Sequence, residues 1–143
     1  MASVALKQNA DGSMGLQGGD RDGGGFININ IEYNASSIDK TSFVATRAYV
    51  VQGISGSPTV AGSDAGAVTA AIKKASGTTA IASGTALHSG TMNLKGTADT
   101  VQSLTLSTTS GVTAIAAGDR IGVDFTGVMT AAVGTITVCL APA

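Results

Sequence analysis

Few side chains in this 143-residue chain are of a kind that does chemistry, and their spacing decides which chemistry is open to them. His88 is the sole imidazole, and a general base or metal ligand needs an orienting carboxylate or a second ligand beside it. Its neighbours Leu87, Ser89 and Gly90 supply neither, so an exposed loop or strand-end histidine is expected. Cys139 is the sole cysteine. It can form no internal disulfide, and without a nearby His–acid pair it reads as a small buried hydrophobe. Asp119 and Asp124 are candidates for paired carboxylates, but sugar hydrolysis also wants a cleft lined with aromatics. The chain has five aromatic residues in all, four of them between Phe26 and Tyr49, where they predict a core cluster.

Asp20-Arg21-Asp22, followed by Gly23-Gly24-Gly25, has the alternating carboxylates of a calcium loop but no distal bidentate acid at the required spacing; Glu32 lies ten residues past Asp22. A solvated charge cluster is the expectation. The same glycines precede a strand pattern rather than a helix N-terminus, so they are not a phosphate cradle. Gly53-Ile54-Ser55-Gly56 is one residue short of a nucleophile elbow. Asn34-Ala35-Ser36 fits a glycosylation sequon and is read as a turn. No catalytic, cofactor-binding or metal-ligating residue is assigned, and the chain is expected not to be an enzyme.

The elements that would have to position any site are strands. Ile27, Ile29, Ile31 and Tyr33 alternate with Asn28, Asn30 and Glu32, which is the period of a half-buried strand. Phe43–Ile54 is apolar on both parities and reads as one long central strand, with Gly53, Gly56, Pro58 and Gly62 forming the loop after it. Val68, Ala70 and Ile72 alternate in a strand ending at Lys73-Lys74. A helix over Ala65–Lys74 is the rival, weakened by Thr69 and a missing cap. Further alternation runs through Val101–Leu106, Arg120–Phe125 and Thr135–Leu140. Eight to ten strands at 8–12-residue spacing, with glycine in the turns, predict an antiparallel sandwich, and the number suits a jelly roll. The fold class is therefore all-β: a jelly-roll sandwich of about eight strands over residues 26–143, preceded by a flexible, glycine-rich arm over residues 1–25, where closely spaced glycines oppose helix and strand.

Composition narrows function further. Gly, Ala, Ser and Thr make up more than half the chain, there is no Trp, and net charge is −1. From Thr97 to Ala143 only Asp99, Asp119, Arg120 and Asp124 are charged. The wetted strand faces are thus Thr, Ser and Gly rather than Lys and Glu, a surface suited to packing against protein. Lys73-Lys74 is the only adjacent cation pair, and counterion-driven nucleic-acid binding needs many more. No apolar run approaches the roughly 20 residues of a membrane span. Met1–Lys7 carries no apolar leader, so synthesis in a cytoplasm is expected.

The runs Val68-Thr69-Ala70-Ala71-Ile72, Ile81-Ala82-Ser83-Gly84-Thr85, Asn93 to Gln102, Leu104 to Ser107 and above all Ala116-Ala117-Gly118-Asp119-Arg120-Ile121-Gly122-Val123-Asp124-Phe125-Thr126-Gly127 carry a likeness. Over about Ala67–Leu140 the chain resembles small jelly-roll proteins encoded among the virion genes of tailed phages, often capsid decoration (cement) proteins. The resemblance implies inward Ile121, Val123 and Phe125. It also implies a homotrimer on the capsid exterior with the major capsid protein as partner, and no cofactor. A fibre or spike head module that binds host glycans is the alternative. A carbohydrate-active enzyme and a secreted adhesion module rank below it.

Overall fold

The alternation along the chain becomes two antiparallel sheets, seen in a computed structural model that describes residues 6–8, 14–16 and 25–143. Two short strands, β1 (Leu6–Gln8) and β2 (Met14–Leu16), pair as a hairpin with Leu6 opposite Leu16. The arm expected over residues 1–25 thus carries two strands; the rest of residues 1–24, with the Asp20-Arg21-Asp22 cluster, lies outside the described residues. Then follow β3 (Ile27–Tyr33), β4 (Lys40–Val44), β5 (Tyr49–Val60), β6 (Thr69–Ala75), a 3-10 turn at Ile81–Ser83, β7 (Thr85–Ala86), β8 (Met92–Asn93), β9 (Gln102–Leu104), β10 (Ala114–Ile115), β11 (Arg120–Thr126) and β12 (Val133–Pro142).

The first sheet runs β3–β12–β5, with β9 and β10 sharing the far side of β5. The second runs β4–β11–β6, with β7 and β8 sharing the far side of β6. With β7/β8 and β9/β10 each counted as one interrupted position, there are eight positions. First pairs with eighth, second with seventh, third with sixth and fourth with fifth. That nesting is the jelly roll expected from strand number. A bridge from His88 to Leu106 joins the sheets along one edge.

Period two fills the interior. Ile29, Ile31 and Tyr33 face inward from β3, Ala70 and Ile72 from β6, Ile121 and Val123 from β11, and Ile136, Val138 and Leu140 from β12. The rival helix at Ala65–Lys74 is thereby excluded. Phe125 is half-buried rather than buried. The aromatic rings do not form one cluster: Tyr33 packs on Phe125 with centroids 6.1 Å apart at one end of the sandwich, and Phe43 packs edge-on against Tyr49 at 5.8 Å at the other.

Phe43–Ile54 is two strands, not one. Ala45 is held at the end of the second sheet by bonds with Asp119 and Gly118, and the chain then crosses to start β5 in the first sheet. Phe43, Ala45, Tyr49 and Val51 keep one inward parity across the crossing, and a bulge between Val51 and Gly53 then turns Ile54, of the other parity, inward. The predicted loop at Gly53–Pro58 is strand instead. Pro58 pairs with Gly134, and its carbonyl accepts from Asp99 N–H on the other side. Carbonyl and imide nitrogen of one residue point to the same side of a strand, so Pro58 directs its missing N–H beyond the end of β9, where no ladder bond is lost.

The outer face of the second sheet is covered by the chain's own Ser76–Gly84 loop. Ile81 is buried over Gly122, Arg120 Nη2 donates to the carbonyls of Gly77 (3.0 Å) and Thr79 (2.6 Å), and Lys73 Nζ donates to Ala82 O (2.6 Å). A Cβ at position 122 would stand 2.9 Å from Ile81 Cγ1 and closer still to the Lys40 carbonyl. Gly122→Ala is expected to lower stability by about 1–3 kcal/mol, read as a lower urea midpoint with unchanged slope. Tyr33 Oη is buried with no hydrogen-bond partner, and burial pushes its phenol above the usual range. Tyr33→Phe removes an unsatisfied group while keeping the ring, so the same titration should show stability unchanged or raised by up to about 1 kcal/mol.

Candidate functional site

The side chains singled out for chemistry are dispersed by the fold. Asp119 caps its own turn, its Oδ2 accepting from Ala116 N–H at 2.9 Å. Asp124 lies five residues on along β11, roughly 16 Å away at strand rise, and is paired with Lys73 at 2.6 Å. They form no carboxylate pair. Lys73 and Lys74 point to opposite faces; Lys74 Nζ donates to Gly111 O and Ala114 O, both at 2.7 Å, so no basic patch arises. Asn34 and Ser36 form the expected turn, with Ser36 N–H on Asn34 Oδ1 at 2.8 Å. Gly53-Ile54-Ser55-Gly56 is mid-strand. Among the described residues no three His, Cys, Asp or Glu side chains gather as a metal site, and no helix is long and apolar enough to cross a membrane.

His88 corrects the expectation of an exposed histidine: it is 5 % exposed. Where β7 ends and β8 has not begun, the edge of β6 has a ladder donor to satisfy. Ile72 N–H donates to His88 Nε2 at 2.8 Å, so the imidazole takes the place of a strand carbonyl. Nδ1 lies 3.3 Å from Ser89 O. This arrangement fits the neutral ring with its proton on Nδ1. Burial pulls the imidazole below its ordinary value, outweighing the Ser89 and Gly90 carbonyls that favour the cation. Cys139 also departs from expectation. Ile136, Val138 and Leu140 take the inward parity, which turns Cys139 outward and leaves it half-buried.

Cys139 belongs to the surface that remains: the outer face of the first sheet. Register places its side chains in rows. Asn30, Thr137, Ser55 and Ser103 make the central row, Glu32, Thr135 and Ser57 a second, and Asn28, Cys139 and Gly53 a third. Thr137 Oγ1 donates to Asn30 Oδ1 at 3.0 Å within the central row. Glu32 is the only charge in the three rows. Among the described residues no segment packs across them, and Asn30 and Ser103 stand exposed at the margins. Among the described residues the charged sheet face is thus covered and the neutral one open. Outside Glu32, at its margin, such a face can desolvate against another protein without stranding a charge. The run of outward Thr and Ser was legible in the sequence; which sheet the loop would cover was not.

The His88 geometry sets a pH dependence. The folded value lies below the unfolded value of about 6.5, so between the two the unfolded chain binds more protons. The contribution is complete above about pH 6.5 and is lost as pH falls toward the folded value, by at most about 1.4 kcal/mol per pH unit. His88→Ala orphans Ile72 N–H and should cost about 1–3 kcal/mol at pH 7.5. The gap between variant and parent should shrink at pH 5.5, measured by urea titration at both values.

No protein-family model, curated protein or solved structure matches the chain.

Proposed function

We propose that this chain is a structural virion protein: a non-catalytic jelly-roll module that decorates the exterior of a tailed-phage capsid, contacts the major capsid protein and self-associates as a homotrimer. The observation that carries the reading is the open, neutral face of Asn, Thr and Ser side chains, set opposite a face that the chain's own loop has covered. Small uncharged side chains pack sheet against protein with little desolvation cost. Individually weak contacts of this kind become effective when repeated around a shell. The likeness of the Ala116–Gly127 run to phage decoration proteins supports the same reading. Glycan contact by a fibre head would draw on exposed aromatic rings; four of the five rings here are buried or half-buried, with Phe26 the exposed one, which favours the shell.

Light-scattering mass of the purified chain, alone and with empty shells of the phage that encodes it, tests the proposal. The expected result is a particle of about three chain masses that saturates the shells. Ser55→Arg, at the centre of the open face, should fold normally and weaken self-association at least about tenfold, the cost of some 1.4 kcal/mol in burying an unpaired cation. A solitary chain that ignores shells overturns the proposal.

A further inference from the structure

Exposed aliphatic side chains are not spread evenly over the molecule. Seven large hydrophobic residues stand exposed among the described residues, and five of them, Ile38, Val60, Val101, Val128 and Val133, lie at one end of the sandwich. Contacts among the loops fix that shared location. Val60 and Val133 are strand partners at the last rung of β5 and β12. Asp99 N–H donates to Pro58 O at 2.7 Å, bringing the Val101 segment alongside. Ser63 N–H donates to Thr130 O at 2.9 Å, tying in the loop that bears Val128. Phe125 N–H donates to Asp39 Oδ1 at 2.7 Å, tying in the loop that bears Ile38. The other two, Phe26 and Val44, lie at the opposite end, where β3 begins and β4 finishes.

Two further features gather at the five-residue end. Among the described residues both non-glycine residues with left-handed backbone, Asp99 (φ 57°) and Ala131 (φ 60°), are in its loops, and strained backbone of this kind concentrates where a surface has a task. The charge there is one-sided. Among the described residues Glu32, Asp39, Asp64 and Asp99 face two ammonium groups, Lys40 and Lys95. Those two are bonded to main-chain carbonyls, Lys40 Nζ to Glu32 O at 3.0 Å and Lys95 Nζ to Asp64 O at 2.6 Å. Among the described residues none of the four carboxylates takes part in an ion pair, and Lys73–Asp124, in the second sheet, is the one present.

We infer that this end is the surface by which the chain docks on the shell, seating its exposed valines and Ile38 against an apolar patch of the capsid lattice that is rimmed by Lys or Arg. Apolar residues at the centre supply the desolvation gain, and carboxylates at the rim supply steering and register. The inference rests on the decoration reading and assigns the open sheet face to contact between copies, so the molecule stands end-on to the shell.

The test is equilibrium binding of the full chain to purified empty shells at two salt concentrations. Ile38, Val101 and Val128 are 75, 68 and 59 % exposed, so the triple variant I38S/V101S/V128S keeps the fold. It should lose at least tenfold in shell affinity while its light-scattering mass stays that of the parent. Asp99→Asn, which tolerates the left-handed backbone, should lower shell affinity severalfold at low salt and flatten the salt dependence. Parent binding with unchanged affinity in the triple variant overturns the end-on assignment alone. A triple variant that falls to a smaller mass with unchanged affinity per chain also overturns it, by giving this end to copy–copy contact. A parent that does not bind shells overturns both this inference and the decoration reading.

Discussion

The insertion of β12 between β3 and β5 is the constraint on which the rest of the molecule depends. Its inward residues Ile136, Val138 and Leu140 are fully buried, and its backbone completes the ladders of both neighbours. Thr137 meets Asn30 across a sequence separation of 107. Closing a loop of that length costs conformational entropy before any contact repays it, and topologies dominated by such pairs fold slowly. Everything between is a ribbon folded back on itself. Once first and eighth positions pair, second and seventh, third and sixth, fourth and fifth follow in order. Residues of the last strand therefore control the first sheet as firmly as those of the first strand do.

The core this topology encloses is built from small parts. Valine, isoleucine, leucine and alanine dominate it, and the ring pairs Tyr33–Phe125 and Phe43–Tyr49 close its two ends. Each such side chain buries little apolar area, at about 25 cal/mol per Å². Close approach of backbones compensates. Gly56 and Gly134 let Met92 and Tyr33 lie directly against the first sheet, where a Cβ would meet their side chains. A domain of this kind gains from association, because any partner that binds only the folded form adds to its stability by mass action.

Strand existence was legible wherever one face is buried and the other wet. β3, β6, β11 and β12 show the period that Ile27–Tyr33, Val68–Ile72, Arg120–Phe125 and Thr135–Leu140 predict. The pattern failed where its premise failed. Phe43–Ile54 hides two breaks: the chain changes sheets between Ala45 and Tyr49 while keeping the odd residues inward, and a bulge between Val51 and Gly53 then brings Ile54 inward; alternation marks neither. Gly53, Gly56 and Pro58 are turn residues by composition, yet each satisfies a strand: Gly56 through close approach, Pro58 through an open edge. His88 was unreadable for a different reason. Its partner, Ile72 N–H, lies 16 residues away and lacks a ladder acceptor only because β7 stops short. Such a vacancy belongs to sheet geometry and leaves no local sequence signal.

The two sheet faces and the two ends therefore carry different physics. The second sheet gathers Lys73, Lys74, Arg120 and Asp124 and then satisfies them internally, with a salt bridge and five donations to main-chain carbonyls. Little electrostatic capacity is left there for a partner. The first sheet does the reverse, presenting groups that hydrogen-bond weakly and carry no charge beyond Glu32. Exposed aliphatics and unpaired carboxylates then collect at the loop end, away from the end where Gly25 leads into β3. A surface that is neutral along its flank and both apolar and acidic at its tip suits lateral contact between copies and end-on contact with something larger. Neither surface alone has the character of a standard stable interface. In the proposed attachment to a lattice their combination would serve one end, because lateral contact would multiply the tips and each tip would need only modest affinity.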